Sequence, residues 1–210
     1  ILTHIGHSEK VLVMRVFIAV LVLIFSLQSW TKADDIRDFE IEGISIGDSL
    51  LKNVDREYIL GEIKINAKNY EHFKPKNKYG EVYIFESKNY DQFSFFVKPN
   101  DPKFKIHMFR GMINYNNNIN KCKEKKSEII KEIDDLFFGA TKDEYKVVSS
   151  LDPTGRSYTL RTRFNLKNNG SIIVQCSDWE ENFRKKNNFG EGISLVVQNG
   201  EIFEWFTSGN

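Results

Sequence analysis

One stretch constrains the folding options of this chain more than any other. Between Asn118 and Gly139, apolar side chains recur every three or four residues: Ile119, Cys122, Ile129, Ile130, Ile133, Leu136 and Phe137. Lys126 stands where the stripe skips a position, and Lys and Glu fill the opposite face. A helix turns once in about 3.6 residues, so this spacing produces one apolar and one solvated face. Asn118 or Asn120 is the expected N-cap, and Gly139 is expected to end the helix. An apolar stripe must be buried against another layer, and the flanking sequence offers mainly strands.

Three strand patterns precede the helix. Residues 79–87 alternate Val82 and Ile84 with Tyr83 and Phe85, and residues 91–98 place Phe93, Phe95 and Val97 on one face. Residues 103–115 place Phe104, Ile106 and Met108 together, with Gly111 as the expected bulge. Ser87-Lys88-Asn89-Tyr90 and Pro99-Asn100-Asp101-Pro102 read as turns. Three more patterns follow, at 157–166, 171–179 and 192–198. In the first, Tyr158, Leu160, Phe164 and Leu166 share one face, and Arg161, Arg163 and Asn165 the other. Asn168-Asn169-Gly170 is a hairpin signal, and residues 199–206 suit a short terminal helix.

Upstream, Gly43 and Gly47 punctuate a segment in which Asp48 or Ser45 would cap a short helix reaching Val54. Residues 55–60 suggest another helical turn. Short turns favour antiparallel pairing. The expectation is an α+β two-layer sandwich. Its antiparallel sheet has about six strands, as two three-stranded meanders, packed against one long helix and several short ones. Two helix-plus-three-strand halves are compatible with a duplication, although they share no residue-level identity.

Residues 14–33 read as an export signal. Met14 and Arg15 lead an apolar run, residues 16–27, and Ala33 is a suitable last residue before acidic Asp34-Asp35. A membrane-spanning helix wants about 20 apolar residues, and this run is shorter. Cleavage is therefore the expectation; an uncleaved signal would be the chain's contact with a membrane. Residues 1–13 precede the first Met and are read as upstream sequence. The mature domain would be residues 34–210, a single α+β domain of 177 residues and net charge −1. Localisation would be periplasmic or secreted.

Composition excludes several classes. A net charge of +1 gives no reason to expect a nucleic-acid partner, and two cysteines are too few for a disulfide-rich miniprotein. The mean hydropathy of −0.43 does not suit a polytopic membrane protein.

Cys122 and Cys176 both fall on core-facing stripes. In an oxidising compartment they are candidates for a disulfide, the alternative being two buried thiols. His72 and His107 are the histidines of the mature segment, and their spacing suggests no zinc site. Acidic clusters at 34–42 and 178–181 lack the spacing of a calcium loop. No cofactor and no metal are expected. Residues 72–79 and 183–189 mix cations with aromatics; Lys185 and Lys186 in the second stretch could hold an anionic partner, or could simply lie in a solvated loop. Gly43-Ile44-Ser45-Ile46-Gly47 spells a nucleophile-elbow pattern, but not in the strand–turn–helix context of a parallel sheet that the elbow requires.

Three blocks carry a resemblance. The first spans residues 35–51, opening Asp35-Ile36-Arg37-Asp38-Phe39 and including Gly43-Ile44-Ser45-Ile46-Gly47-Asp48. The second runs from Gly111-Met112-Ile113-Asn114-Tyr115 to Ile119 and Cys122. The third is Val174-Gln175-Cys176-Ser177-Asp178-Trp179. Through these the chain resembles a group of small secreted proteins of marine bacteria with no assigned function, which implies export and a small α+β domain. From Gly43 to Leu51 it is also similar to the outer-membrane assembly lipoprotein BamE and its relatives, without the lipid-bearing cysteine. That similarity implies an interaction role.

The functional expectation is an exported, non-enzymatic binding or interaction domain of the bacterial envelope. Its exposed sheet face, bearing Arg161 and Arg163, would contact a protein or another envelope component. The alternatives are a hydrolase using Ser45 with His72 or His107, and an envelope-assembly accessory factor.

Overall fold

The alternating segments become strands, and the stripe becomes the longest helix among the described residues. The computed structural model describes residues 35–208, except 86, 116 and 117. The export segment and residues 1–13 lie outside the described residues. A small hairpin comes first, β1 (Glu40–Ile41) with β2 (Ile44–Ser45). Then come α1 (Arg56–Asn66), β3 (Gly80–Ile84), β4 (Gln92–Val97), β5 (Ile106–Asn114) and α2 (Ile119–Leu136). The second half holds β6 (Thr141–Val148), β7 (Tyr158–Asn165), β8 (Ser171–Asp178), α3 (Glu181–Asn187), β9 (Gly192–Gln198) and α4 (Gly200–Thr207). The fold is α+β.

Asn118 caps α2, its side chain accepting from the Lys121 backbone N–H at 3.0 Å. Cys122, Ile129 and Ile133 turn inward and pack over β8 and β9. Cys122 is disulfide-bonded to Cys176 of β8 across a Cα separation of 5.9 Å. Lys126, the break in the stripe, reaches Thr162 Oγ1 on the sheet at 2.6 Å. Burial lowers its pKa, and the charge of Glu144 opposes the shift.

Seven antiparallel strands pair in the order β3-β4-β5-β9-β8-β7-β6. Three precede α2 and four follow it, so the expected equal halves are unequal. The strand that the periodicity does not reveal is β6, with the sequence Thr-Lys-Asp-Glu-Tyr-Lys-Val-Val. It lies at the sheet edge and is almost wholly exposed, so neither face demands apolar residues.

The bulge falls elsewhere than at Gly111. The β4–β5 register shifts between Phe96 and Val97, where Phe96 faces Met108 and Val97 faces Ile106. His107 is the extra residue, so Ile106 and Met108 end on opposite faces. Gly111 pairs regularly with Phe93 and Leu195. It is glycine because a Cβ would lie 2.5 Å from the Tyr90 ring.

The main core lies on the α2 side, built from residues such as Phe95, Phe109, Val197 and Ile133. A second cluster covers one end of the opposite face. There Ile202 and Trp205 of α4 meet Phe96, Met108, Val196 and Tyr79. Asn199 caps α4 by accepting from Ile202 N at 3.1 Å. Helices therefore touch both faces of the sheet.

At the β3 edge, α1 satisfies backbone groups that lack a neighbouring strand. Tyr58 Oη donates to Tyr83 O at 2.8 Å, and Tyr83 N donates to Glu62 Oε2 at 3.1 Å. Asn66 Nδ2 donates to Glu81 O at 3.2 Å. Residues four apart lie on one helix face, which places all three side chains along the strand. The short helix expected near Val54 is one 3-10 turn, Leu50–Lys52. Asp48 accepts instead from the Ser45 backbone N–H at 3.0 Å. Among the described residues no helix is long and apolar enough to cross a membrane.

Candidate functional site

Side chains alternate across a strand, so each strand of the sheet sends every second residue to the face opposite α2. Register aligns these residues into transverse rows. One row runs Gln92, Met112, Ser194, Gln175, Arg161 and Tyr145 across β4, β5, β9, β8, β7 and β6. The next runs Tyr83, Ser94, Arg110, Val196, Ile173, Arg163 and Asp143. At one end α4 covers the face. The rest forms an open cleft of about 620 Å³; among the described residues its lining holds two arginines, Arg110 and Arg161, and no carboxylate.

The walls are fixed by hydrogen bonds. Trp179, just past β8, donates from its backbone N to Glu191 Oε1 at 2.8 Å and from Nε1 to Gly190 O at 3.1 Å. Its ring meets Phe189 at 4.7 Å, and Phe183 of α3 supports both rings. The opposite wall is the β6–β7 loop, including Ser149, Ser150 and Leu151. Asp152 anchors this loop by accepting from Thr154 N, Ser157 N and both hydroxyls. Burial raises the Asp152 pKa, but the bonds from Ser157 and Thr154 outweigh it and hold the carboxyl well below the usual range. Ser157 Oγ also accepts from Glu180 N at 2.9 Å, which ties the loop to the segment that carries Trp179.

Beside the cleft, the Glu81 carboxylate is fully shielded from solvent. It accepts from Tyr70 Oη, from Tyr83 Oη at 2.9 Å and from Arg110 Nη2 at 3.5 Å. Burial, followed by the Glu81 charge, pushes the Tyr83 phenol up to about 12. Arg110 therefore has a counter-charge. Arg161 does not: among the described residues it enters no ion pair, and its Nε is buried without a partner. The Nε of Arg110 and the Ser94 hydroxyl are likewise buried and unpartnered. Ser94 does not line the cleft; Arg161 does, and a guanidinium without a counter-charge on a concave face is equipped to bind an anion through its remaining N–H groups.

The residues singled out from the sequence separate. Arg161 enters the cleft. Arg163 lies over the Phe203 ring of α4, and both arginines are half-buried, not exposed as expected. Lys185 pairs with Glu181 at 2.8 Å on the exposed side of α3, a helix where a solvated loop was one expectation. Lys186 is also exposed there, and neither lysine lines the cleft. Cys176 faces the α2 side of β8, behind Gln175 and Ser177. Ser45 sits in the β1–β2 hairpin. His107 contacts Asn199 at 3.0 Å and Glu201 at 3.6 Å, and burial followed by the Lys98 charge lowers its pKa. His72 packs on Phe73, with ring centroids 4.3 Å apart. Among the described residues no hydrogen bond joins Ser45 to a histidine, and no group of His, Cys, Asp and Glu is placed to hold a metal ion.

Arg110, Gln175, Ser194 and Glu81 are the site residues that sequence reading missed. A signal exists for them: each is polar and lies between core-facing residues of a strand, as Gln175 does between Val174 and Cys176. Such a residue must face away from the helix layer. No known protein family matches the chain, and no curated protein or solved structure does.

Proposed function

We propose that the protein is an exported, non-enzymatic binding domain of the bacterial envelope and that the sheet cleft is its binding surface. The observation that carries the reading is Arg161, a half-buried guanidinium with no carboxylate partner among the described residues, in a cleft whose two walls are tied together through Ser157. Burying a charge without a counter-ion is unfavourable, so a fold that builds this arrangement gains when an anionic group enters it. Export is supported by the pattern of residues 14–33 and by the Cys122–Cys176 bond, a linkage suited to an oxidising compartment.

The test is site-specific photocrosslinking in cells that export the full chain. A crosslinker replacing Leu151, on the cleft rim, should yield a defined adduct that disappears with Arg161→Gln. The same crosslinker replacing Phe138, at the C-terminal end of α2, should not yield it. An adduct from Leu151 that is indifferent to Arg161 overturns the cleft as the binding surface. Chain retained in the cytoplasm, with both cysteines free, overturns export.

A further inference from the structure

We infer that the cleft takes a small monocarboxylate carrying an apolar, preferably aromatic, body. The inference rests on the binding-domain reading and names its ligand class. Charge decides the head group. The lining holds two guanidinium groups, and the shielded Glu81 carboxylate compensates Arg110 at 3.5 Å. One positive charge, on Arg161, is left. A single carboxylate neutralises it and matches the guanidinium fork through two parallel hydrogen bonds. A phosphate dianion would need a second uncompensated cation in the lining, and neither Arg163, set over the Phe203 ring, nor Lys185 and Lys186 on α3 lines the cleft.

The row beside Arg161 supplies neutral donors. Gln175 is its cross-strand neighbour, and Ser194 follows Gln175. An amide and a hydroxyl complete the shell of a carboxylate without adding charge. The walls select the body. Trp179 and Phe189 form one side, and Leu151 and Val148, both well exposed, stand on the other. Apolar rims around a polar floor are the usual construction of small-molecule sites, and about 620 Å³ falls within their range. A macromolecular surface would instead call for a flatter, wider face, and α4 closes one end of this one.

Calorimetric titration of protein purified after expression of the full chain tests this with three probes of one shape. These are 3-phenylpropionate, 3-phenylpropionamide and 2-phenylethyl phosphate. The carboxylate should bind at least about tenfold more tightly than the amide, a loss expected when one charge-assisted contact is removed. The phosphate should bind no more tightly than the carboxylate. Binding should quench Trp179, because the second tryptophan among the described residues, Trp205, is buried between α4 and the sheet, away from the cleft. Arg161→Gln should abolish the preference for acid over amide while the far-ultraviolet spectrum stays unchanged and the melting temperature does not fall. Arg161→Lys, which keeps the charge but loses the fork, should recover only part of it. Equal binding of acid and amide, tighter binding of the phosphate, or no millimolar binding of any probe overturns the carboxylate inference. If the Arg161-dependent adduct from Leu151 still forms in that last case, the binding-domain reading stands and only the ligand class falls.

Discussion

The guanidinium of Arg163 lies 4.0 Å from the centroid of the Phe203 ring. Arg161 is two residues away on the same strand and the same face, yet it has no aromatic or carboxylate partner among the described residues. The two arginines therefore have separable roles, one clamping α4 to the sheet and one facing the cleft. A cation–π contact at a half-buried site contributes about 1 kcal/mol. Arg163→Ala and Phe203→Ala should each lower the melting temperature by roughly 2–4 °C and be non-additive together. Arg161→Ala should not lower it, because an uncompensated half-buried charge is unfavourable to the fold. Thermal denaturation of the three variants and the double variant checks this, and additive losses at 163 and 203 would refute the clamp.

The Cys122–Cys176 bond closes a loop with a sequence separation of 54 residues. Constraining the unfolded chain over that length contributes about 4 kcal/mol on the loop-entropy model. Urea unfolding with and without reductant should show the midpoint falling by that equivalent. Coincident curves, with thiol titration proving full reduction, would show that the bond adds little beyond the packing of α2.

Tyr58, Glu62 and Asn66 occupy the backbone groups of β3 that no strand reaches. Removing a partner leaves a polar group short of a bond, at a cost of about 1 kcal/mol where water has partial access. Glu62→Ala should speed hydrogen exchange at the Tyr83 amide and destabilise the protein by about that amount. Unchanged exchange at Tyr83 would mean that α1 does not shield the edge.

Asp152 has a folded pKa below its unfolded value because the Ser157 and Thr154 bonds outweigh burial. A depressed carboxyl stabilises the fold fully above its unfolded pKa of about 3.9. That contribution declines as pH falls below this value and is lost once the folded pKa is passed. Stability measured between neutral and strongly acidic pH should decline at the acid end, and Asp152→Asn should flatten part of that slope. The variant should also loosen the β6–β7 loop, because an asparagine has one acceptor oxygen where Asp152 accepts at two. An identical slope in the variant would assign the acid sensitivity to other carboxyls.

Much of this molecule was legible in advance, and the reasons are local. The α2 stripe, the Asn118 cap and the strands around Phe95, Phe164 and Val174 follow from periodicity and capping chemistry, which act within a few residues. The cysteine pair was legible because both residues lie on faces that had to meet. By contrast, β6 was hidden because an exposed edge strand imposes no apolar alternation. Glycine suggests backbone freedom and hence a bulge at Gly111; its actual constraint is the Tyr90 ring, which comes from the loop before β4.

Alternation alone put Arg161 and Arg163 on one face and Cys122 and Cys176 in the core, since a two-residue or 3.6-residue period needs no knowledge of partners. Nothing in the local sequence distinguishes one arginine from the other. That difference was decided by tertiary structure: α4 returns from the chain end to set Phe203 against Arg163, and the sheet order brings Glu81 to Arg110 while leaving Arg161 beside Gln175. Charge compensation depends on distance in space, and only the pairing of strands far apart in sequence sets that distance.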